Sequence, residues 1–468
     1  MLMNDANRVN AAEYVEGLMK RARIAQHTAE LFSQERVDEL STAIAWTAVK
    51  EENAHELARL ALEETRMGDY ESKYKKIQKK IRGVQRDIKS AKTVGIIEID
   101  AEKGIYKIAK PVGVIGAVIP CTNPEVTPVI KAMNGIKGRN AVIFAPHPRS
   151  KKTTLYTVEL LREALKRHNA PEDLLICAEN PTIEISNEIM KQCDLIIATG
   201  GGNMVKAAYS SGTPAYGVGA GNAVVVVDET ADIKDAAHKI MLSKTFDLAA
   251  GCSCENSLVI RDCIYNQMID HLKKEGGYLA NNDEKRLLQN IMWSDGHLNK
   301  DIVAQPAEKI AQMAGILINR DNKFIMVEED GIGKEFPFSG EKLSVILTLY
   351  KYRNFEDAVR TVNAIQDYQG SGHSCGIHSF DDAHIMQLSL NTRTSRVMVR
   401  QPQNYGNSGD WCNGMPFTVT LGCGTWGGNI VSENVVLKHY INTTWLSFPI
   451  EPVIPDDKEL FGDIMFKD

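Results

Sequence analysis

The stretch Val112-Gly113-Val114-Ile115-Gly116-Ala117-Val118-Ile119, closed by Pro120-Cys121-Thr122-Asn123-Pro124, decides how this chain is read. An uninterrupted apolar run ending in a proline-bounded turn describes a strand buried on both faces. Such a strand needs cover on each side, and the next segments supply it. Residues 125–137 are helical by pattern, 141–145 form a second buried run, and 153–168 make an amphipathic helix. Residues 174–178, 183–192 and 195–198 continue as strand, helix and strand. Short apolar runs alternating with helices indicate a parallel, doubly wound sheet, whose ligands sit beyond the carboxyl ends of its strands.

Working outward, the chain before this region reads as helices through 14–49 and 52–67, then a hairpin of strands 94–100 and 104–109 turning at Ala101-Glu102-Lys103. The basic run 73–92 places Ile77, Ile81, Val84 and Ile88 at helical spacing, so its lysines and arginines are expected on the solvated face of a helix. A second alternating region follows, with helices at 232–243, 265–274 and 283–291 and strands at 223–227, 257–260, 343–350 and 396–399. The chain closes on an apolar run at 441–450 and an acidic tail.

A length of 468 residues is long for one core and implies two or three lobes. The net charge of -6 gives no electrostatic footprint for nucleic acid or a membrane surface, and no stretch approaches the roughly 20 apolar residues that span a bilayer. Nine scattered cysteines fit a reducing cytoplasm; no histidine lies near Cys252 and Cys254, so no metal site is expected. If the segment joining these two cysteines is extended, both thiols point the same way and a reversible disulfide is conceivable; a buried thiol is the plainer reading.

The residues that follow the strands carry the chemistry. Asn123 offers an amide N–H to a developing oxyanion, although Asn-Pro is also an ordinary turn. Ala145-Pro146-His147-Pro148-Arg149-Ser150-Lys151-Lys152 opens a helix whose amino end suits phosphate or an adenosine ribose, unless it is only a solvated basic loop. Thr199-Gly200-Gly201-Gly202-Asn203 lets backbone amides approach a pyrophosphate without being the GxGxxG fingerprint, and Gly217-Val218-Gly219-Ala220-Gly221-Asn222 follows. In Ala250-Gly251-Cys252-Ser253-Cys254, Cys252 reads either as a nucleophile on a tight turn or as a small buried hydrophobe.

The ordered segments PCTNP, FAPHPR, ATGGGNMVKAAYSSG, GVGAGN, SKTFD with Cys252, EKLS, GHSCGIHS and LGCGTWGGN, spread from about Tyr14 to Thr444, resemble the aldehyde dehydrogenase superfamily and its coenzyme A-acylating branch. That resemblance implies an α/β fold with two doubly wound α/β domains with parallel sheets and a small β oligomerisation element. It implies a nicotinamide dinucleotide-binding domain over 1–93 and 112–224, a catalytic domain over 225–425, and an oligomerisation hairpin and tail over 94–111 and 426–468. Cys252 matches the family nucleophile, and Asn123 the side chain that completes the oxyanion hole. Thr122, His147, Pro148, Arg149, Gly200, Gly201, Gly217, Gly219 and Glu341 match positions around NAD or NADP, Glu341 at the nicotinamide ribose. His373 matches a histidine of acylating members near the thiolysis site. The resemblance further implies a homo-oligomer, dimer or tetramer.

Two departures sharpen the expectation. Hydrolytic members carry Glu-Leu-Gly-Gly where this chain has Gly217-Val218-Gly219-Ala220, so the carboxylate that activates water is missing and coenzyme A becomes the expected acyl acceptor. Many acylating relatives have a small stretch where this chain reads Val399-Arg400-Gln401-Pro402. Arg400, near Arg396, is expected to place a cation in the aldehyde pocket, unless it forms a structural ion pair. With Trp411-Cys412-Asn413-Gly414-Met415-Pro416-Phe417, this stretch resembles acylating sulfoacetaldehyde dehydrogenases and implies an anionic aldehyde. Acylating oxidation of acetaldehyde or propanal is the alternative, and a non-catalytic structural subunit the alternative of another class.

Overall fold

The computed structural model describes residues 2–466. Four helices lead the chain: α1 (Leu2–Glu30), α2 (Gln34–Val49), α3 (Glu51–Thr65) and α4 (Tyr70–Ile88). Ser33 and Asp69 start α2 and α4 by accepting a backbone N–H of the first turn. The hairpin β1 (Gly95–Asp100) and β2 (Ile105–Pro111) follows.

The first alternating unit runs β3 (Val114–Val118), α5 (Thr127–Lys137), β4 (Ala141–Ala145), α6 (Lys151–Arg167), β5 (Leu175–Cys177), α7 (Ile183–Gln192), β6 (Leu195–Thr199), α8 (Gly202–Tyr209) and β7 (Ala215–Val218). Its five strands are parallel in the order β5-β4-β3-β6-β7. The chain leaves β3 toward β4 and β5, then returns to β6 on the other side. The crevice beyond the ends of β3 and β6 is therefore the topological switch point.

The second unit runs β8 (Ala223–Val227), α9 (Ile233–Thr245), β9 (Glu255–Arg261), α10 (Tyr265–Lys274), β10 (Gly277–Leu279), α11 (Asn282–Met292), a short hairpin of β11 (Trp293–Ser294) and β12 (His297–Leu298), α12 (Ala307–Met313), β13 (Phe324–Glu328), β14 (Ile346–Tyr352), α13 (Phe355–Tyr368), β15 (Cys375–His378), α14 (Asp382–Asn391) and β16 (Val397–Val399). Its seven-stranded parallel sheet has the order β10-β13-β14-β9-β8-β15-β16. Strand β8 shows why an all-valine run suits its centre: Val225 and Val227 pack into the core on one face, Val224 and Val226 into that on the other.

After α15 (Gln403–Gly406), β17 (Ile441–Ser447) pairs antiparallel with β2 to complete a three-stranded sheet, and α16 (Asp457–Phe461) follows. The architecture is the expected pair of parallel-sheet α/β units with a small antiparallel element. No described helix is long and apolar enough to cross a membrane.

One expectation fails within α4. Ile77, Ile81, Val84 and Ile88 are buried as the pattern requires, but Lys73, Lys76 and Lys80 are buried too. The helix is wedged between the two units, and its lysine stripe faces the second of them rather than solvent.

Candidate active site

Strand order brings the reactive groups together. Strands β9, β8 and β15 are adjacent and parallel, and Cys252, Gly221 and His373 lie just ahead of their respective amino ends. Cys252 and His373 thus approach from strands on either side of β8, across Gly221. A Cβ on Gly221 would stand 2.1 Å from the Cys252 carbonyl oxygen and 3.0 Å from His373 Cδ2, so only glycine leaves room for the pair to meet.

They do meet: His373 Nε2 is 3.2 Å from Cys252 Sγ, and its Nδ1 is 2.9 Å from Ser374 Oγ. Burial, reinforced by Arg396, lowers the His373 pKa to about 3, so the imidazole is neutral. Burial, then the Glu341 carboxyl, pushes the Cys252 thiol well above its ordinary range, while Arg396 opposes this. The resting pair is therefore a neutral thiol donating to a neutral ring, with the other ring proton on Nδ1 and directed to Ser374. The segment around Cys252 is a turn, and Cys254 is buried with its thiol 3.7 Å from the Ala249 carbonyl. The extended geometry that would aim both thiols the same way is absent.

Asn123 and Thr122, after β3, line the same cavity as Cys252. The Lys76 ammonium donates to Asn123 Oδ1, and the Asn123 Nδ2 donates to Thr122 Oγ1 at 3.2 Å. An ammonium only donates, so this contact sets the orientation of the amide and turns its N–H groups away from Lys76. Lys76 also bonds Asp247 at 2.5 Å and Glu125 at 3.4 Å, and Lys73 reaches Asp247 at 3.4 Å. Asp247, Leu248 and Ala249 all have positive φ, of 49°, 49° and 62°. Left-handed backbone at such residues costs on the order of 1–3 kcal/mol each, and the lysine anchors hold Asp247 in place against that cost. Gly68 leaves the space this requires, since a Cβ there would overlap the Asp247 carboxylate.

The other groups expected around a dinucleotide line a continuous cleft. A cavity of about 250 Å³ joins Cys252 to Thr122, Asn123, His147, Gly200, Gly201, Gly219 and Glu341, and one of about 110 Å³ extends it past Pro148 and Ile183. The carboxyl ends of β3, β4 and β6 contribute to the walls of both. Gly201 has nothing within 4 Å of a Cβ position, leaving its backbone open to a ligand. Glu341 accepts the Gly221 N–H at 2.9 Å, and its burial raises the carboxyl pKa to about 8. A dinucleotide with its reactive ring near Cys252 fits this shape and donor set.

Several sequence-based candidates are placed differently. Arg149 is exposed, and the amino end of α6 is already capped: Glu64 accepts the Lys152 and Thr153 N–H groups at 2.8 and 2.7 Å. That helix end is therefore not open to a phosphate. Gly217 is turned from the cavity toward Tyr209, whose hydroxyl bonds its N–H and carbonyl, both at 3.1 Å. Arg400 does not enter the aldehyde pocket; its guanidinium lies over Phe380 and donates to the Ser379 carbonyl at 2.6 Å. Arg396 is buried behind His373, tied to the carbonyls of His373 and Gly422 and to Asn434 Oδ1. Residues that sequence reading missed are Gly221, Lys76, Lys80 and Asp247. The GVGAGN segment holds the first, and the helical spacing of the lysines was the available signal for the next two.

Fold and site together describe an α/β enzyme with a buried cysteine–histidine pair beside a cleft that fits a dinucleotide. The chain belongs to the aldehyde dehydrogenase family: the family model described as "Aldehyde dehydrogenase family" matches residues 5–286. It is 45% identical over 456 residues to the sulfoacetaldehyde dehydrogenase (acylating) of Bilophila wadsworthia, covering 96% of this chain and 98% of that one. Among solved structures, an acetylating aldehyde dehydrogenase from Geobacillus thermoglucosidasius superposes with a TM-score of 0.92 at 38% identity, covering 96% and 99% of the two chains. The propionaldehyde dehydrogenase of Rhodopseudomonas palustris, with bound CoA and an acylated cysteine, gives 0.83 at 27% identity over 92% and 96%.

Proposed function

We propose that this protein is a coenzyme A-acylating aldehyde dehydrogenase that converts sulfoacetaldehyde to sulfoacetyl-coenzyme A, or the reverse, with NAD or NADP. The observation that carries the acylating reading is the Cys252–His373 contact at a site whose carboxylates are otherwise engaged. Gly217 supplies no carboxylate, Asp247 is held by two lysines, and Glu341, bonded to the Gly221 amide, is kept mostly protonated at neutral pH by its burial.

In the forward direction the Cys252 sulfur attacks the aldehyde carbon while its proton moves to His373 Nε2. Asn123 Nδ2 and a backbone amide at the cysteine steady the oxyanion. A nicotinamide bound in the cleft supplies the hydride acceptor. Cys252 is then acylated as a thioester, and His373, whose depressed pKa returns its proton to solvent, is again a base. It takes the proton of the incoming coenzyme A thiol as that sulfur attacks the acyl carbon, and Cys252 leaves as a thiolate that recovers the proton. Without a free carboxylate to activate water, hydrolysis is slower by about 10²–10⁴-fold and thiolysis dominates.

The relatives' names support sulfoacetaldehyde as substrate. The test is nicotinamide reduction with sulfoacetaldehyde, with and without coenzyme A, beside an acetaldehyde control and a Cys252→Ala variant. Turnover should need coenzyme A, favour the sulfonate and vanish in the variant. Steady turnover without an acyl acceptor would overturn the acylating reading, and a preference for acetaldehyde would overturn the substrate.

A homo-oligomer is part of the same proposal. Beyond β17 the chain exposes Phe448, Ile450, Val453, Ile454, Leu460 and Phe461, an apolar surface of the kind that marks association. Light scattering should return a mass above the 51.8 kDa chain, and removal of residues 448–468 should return that of one chain. A full-length monomer would refute it.

A further inference from the structure

The lysine stripe of α4 lines a second compartment against Cys252. Lys76, Lys80, Phe246, Asp247, Asn404 and Ser408 line a cavity of about 60 Å³ that meets the dinucleotide cleft at Cys252 and Asn123. The charges in its wall do not balance. Lys73 and Lys76 are neutralised by Asp247 and Glu125. Lys79, outside the wall, pairs with Asp410 at 2.7 Å. Lys80 has no carboxylate within ion-pairing distance among the described residues. Its ammonium is buried and donates only to Ser408 Oγ, the Ser408 carbonyl and the Gly409 carbonyl, at 2.5, 3.1 and 2.8 Å, with the Phe417 ring 5.4 Å away.

A buried cation without an anion is costly, and a group that supplies one on binding recovers that cost. Burial, Lys79 and Lys76 all draw the Lys80 pKa down to about 7 against Asp410, as expected where the counter-charge is missing. The Ser408 hydroxyl, having accepted from Lys80, keeps its own proton, committed only to a long 3.4 Å contact with the Asn404 carbonyl. The compartment therefore holds one cation without a counter-charge, its three N–H donors turned to Ser408 and Gly409, and in the Ser408 hydroxyl one weakly committed donor for an incoming anion. Its small volume suits a substrate whose charge lies a bond or two from the carbonyl.

We propose that Lys80, with Ser408, is the receptor for the anionic tail of the aldehyde and sets the enzyme's preference for a charged over an uncharged short substrate. This rests on the sulfoacetaldehyde reading above and assigns to α4 the role expected of Arg400.

The test compares kcat/KM for sulfoacetaldehyde and propanal in the full-length wild type, Lys80→Met, Lys80→Arg and Ser408→Ala. In Lys80→Met the sulfoacetaldehyde-to-propanal ratio should fall about 100-fold or more, chiefly through KM for the sulfonate, and Lys80→Arg should restore much of it. Ser408→Ala should lower the ratio about 10-fold. Ethanesulfonate should compete with propanal in the wild type, a readout that needs no variant. An unchanged ratio in Lys80→Met, or no competition by ethanesulfonate, overturns the proposal. A wild type that already prefers propanal defeats the substrate reading itself, so the two failures are told apart.

Discussion

Replacing Gly221 by alanine tests whether the Cys252–His373 pair depends on a missing side chain. The added Cβ would lie 2.1 Å from the Cys252 carbonyl oxygen and 3.0 Å from its carbonyl carbon, both backbone atoms that cannot rotate aside. Ordinary contact needs more than 3 Å, so the turn carrying Cys252 must retreat by about 1 Å. That displacement lengthens the 3.2 Å Sγ–Nε2 contact toward 4 Å, beyond useful proton transfer. Misplacement on this scale costs about 10²-fold in rate, and overpacking costs about 1–3 kcal/mol of stability. The assay is coenzyme A-dependent nicotinamide reduction, paired with the rate at which iodoacetamide alkylates Cys252. Both should slow together while circular dichroism reports a folded chain. A folded Gly221→Ala protein with wild-type turnover and wild-type alkylation would refute the steric argument.

Other predictions follow from the same geometry. His373→Ala should lower kcat/KM by about 10²–10⁴-fold and slow alkylation at neutral pH; undiminished alkylation would show that the ring does not accept the thiol proton. Lys76→Met strands the Glu125 carboxylate and leaves Asp247 only Lys73 at 3.4 Å, and denaturant unfolding should show a loss of about 3 kcal/mol or more, partly restored in Lys76→Arg. Gly217→Glu should not create coenzyme A-independent turnover, because a Cβ there points at Tyr209 and Val205, each about 3 Å away, and not at Cys252. Glu255 is buried, and that burial raises its pKa from 4.5 to about 7. The folded chain then holds this proton longer than the unfolded chain, so its contribution to stability is greatest below about pH 4.5 and declines toward pH 7. Glu255→Gln should flatten the melting temperature over that window, and an equally steep profile would count against the assignment.

Much of the fold was legible because its signals are local. The runs at 114–118, 141–145 and 223–227 are buried on both faces, and an uninterrupted apolar run is what that demands. Strands β10 and β15 escaped because three or four residues, in β15 mixed with histidine and glycine, are too short to show a period. Cys252 stood out by its motif, but its contact with His373 was not readable from spacing: 121 residues separate the two, and only the order β9-β8-β15 joins them. The placement of Arg400 failed for a related reason. Proximity to the pocket in sequence said nothing of direction, and its backbone has a φ of 53° as the side chain turns toward Phe380.

The lysines of α4 show how a sound rule goes astray. A helix with one apolar stripe is expected to give its charged residues to water, and that holds when one neighbour covers it. Helix α4 has two neighbours. Its isoleucines pack into the first core, while Lys73, Lys76 and Lys80, spaced by three and four residues, form a second stripe covered by the other unit. Buried lysines need anions, and two of the three find them in Asp247 and Glu125. Asp247 is remote in sequence, so nothing local could have announced the pairing. The same contacts seat the strained turn before Cys252 and orient Asn123, which makes one helix face a support for both of these residues. With Lys73 and Lys76 matched, the charge left over falls on Lys80, in the wall of a cavity that reaches Cys252, which is why the proposed anion receptor is placed there.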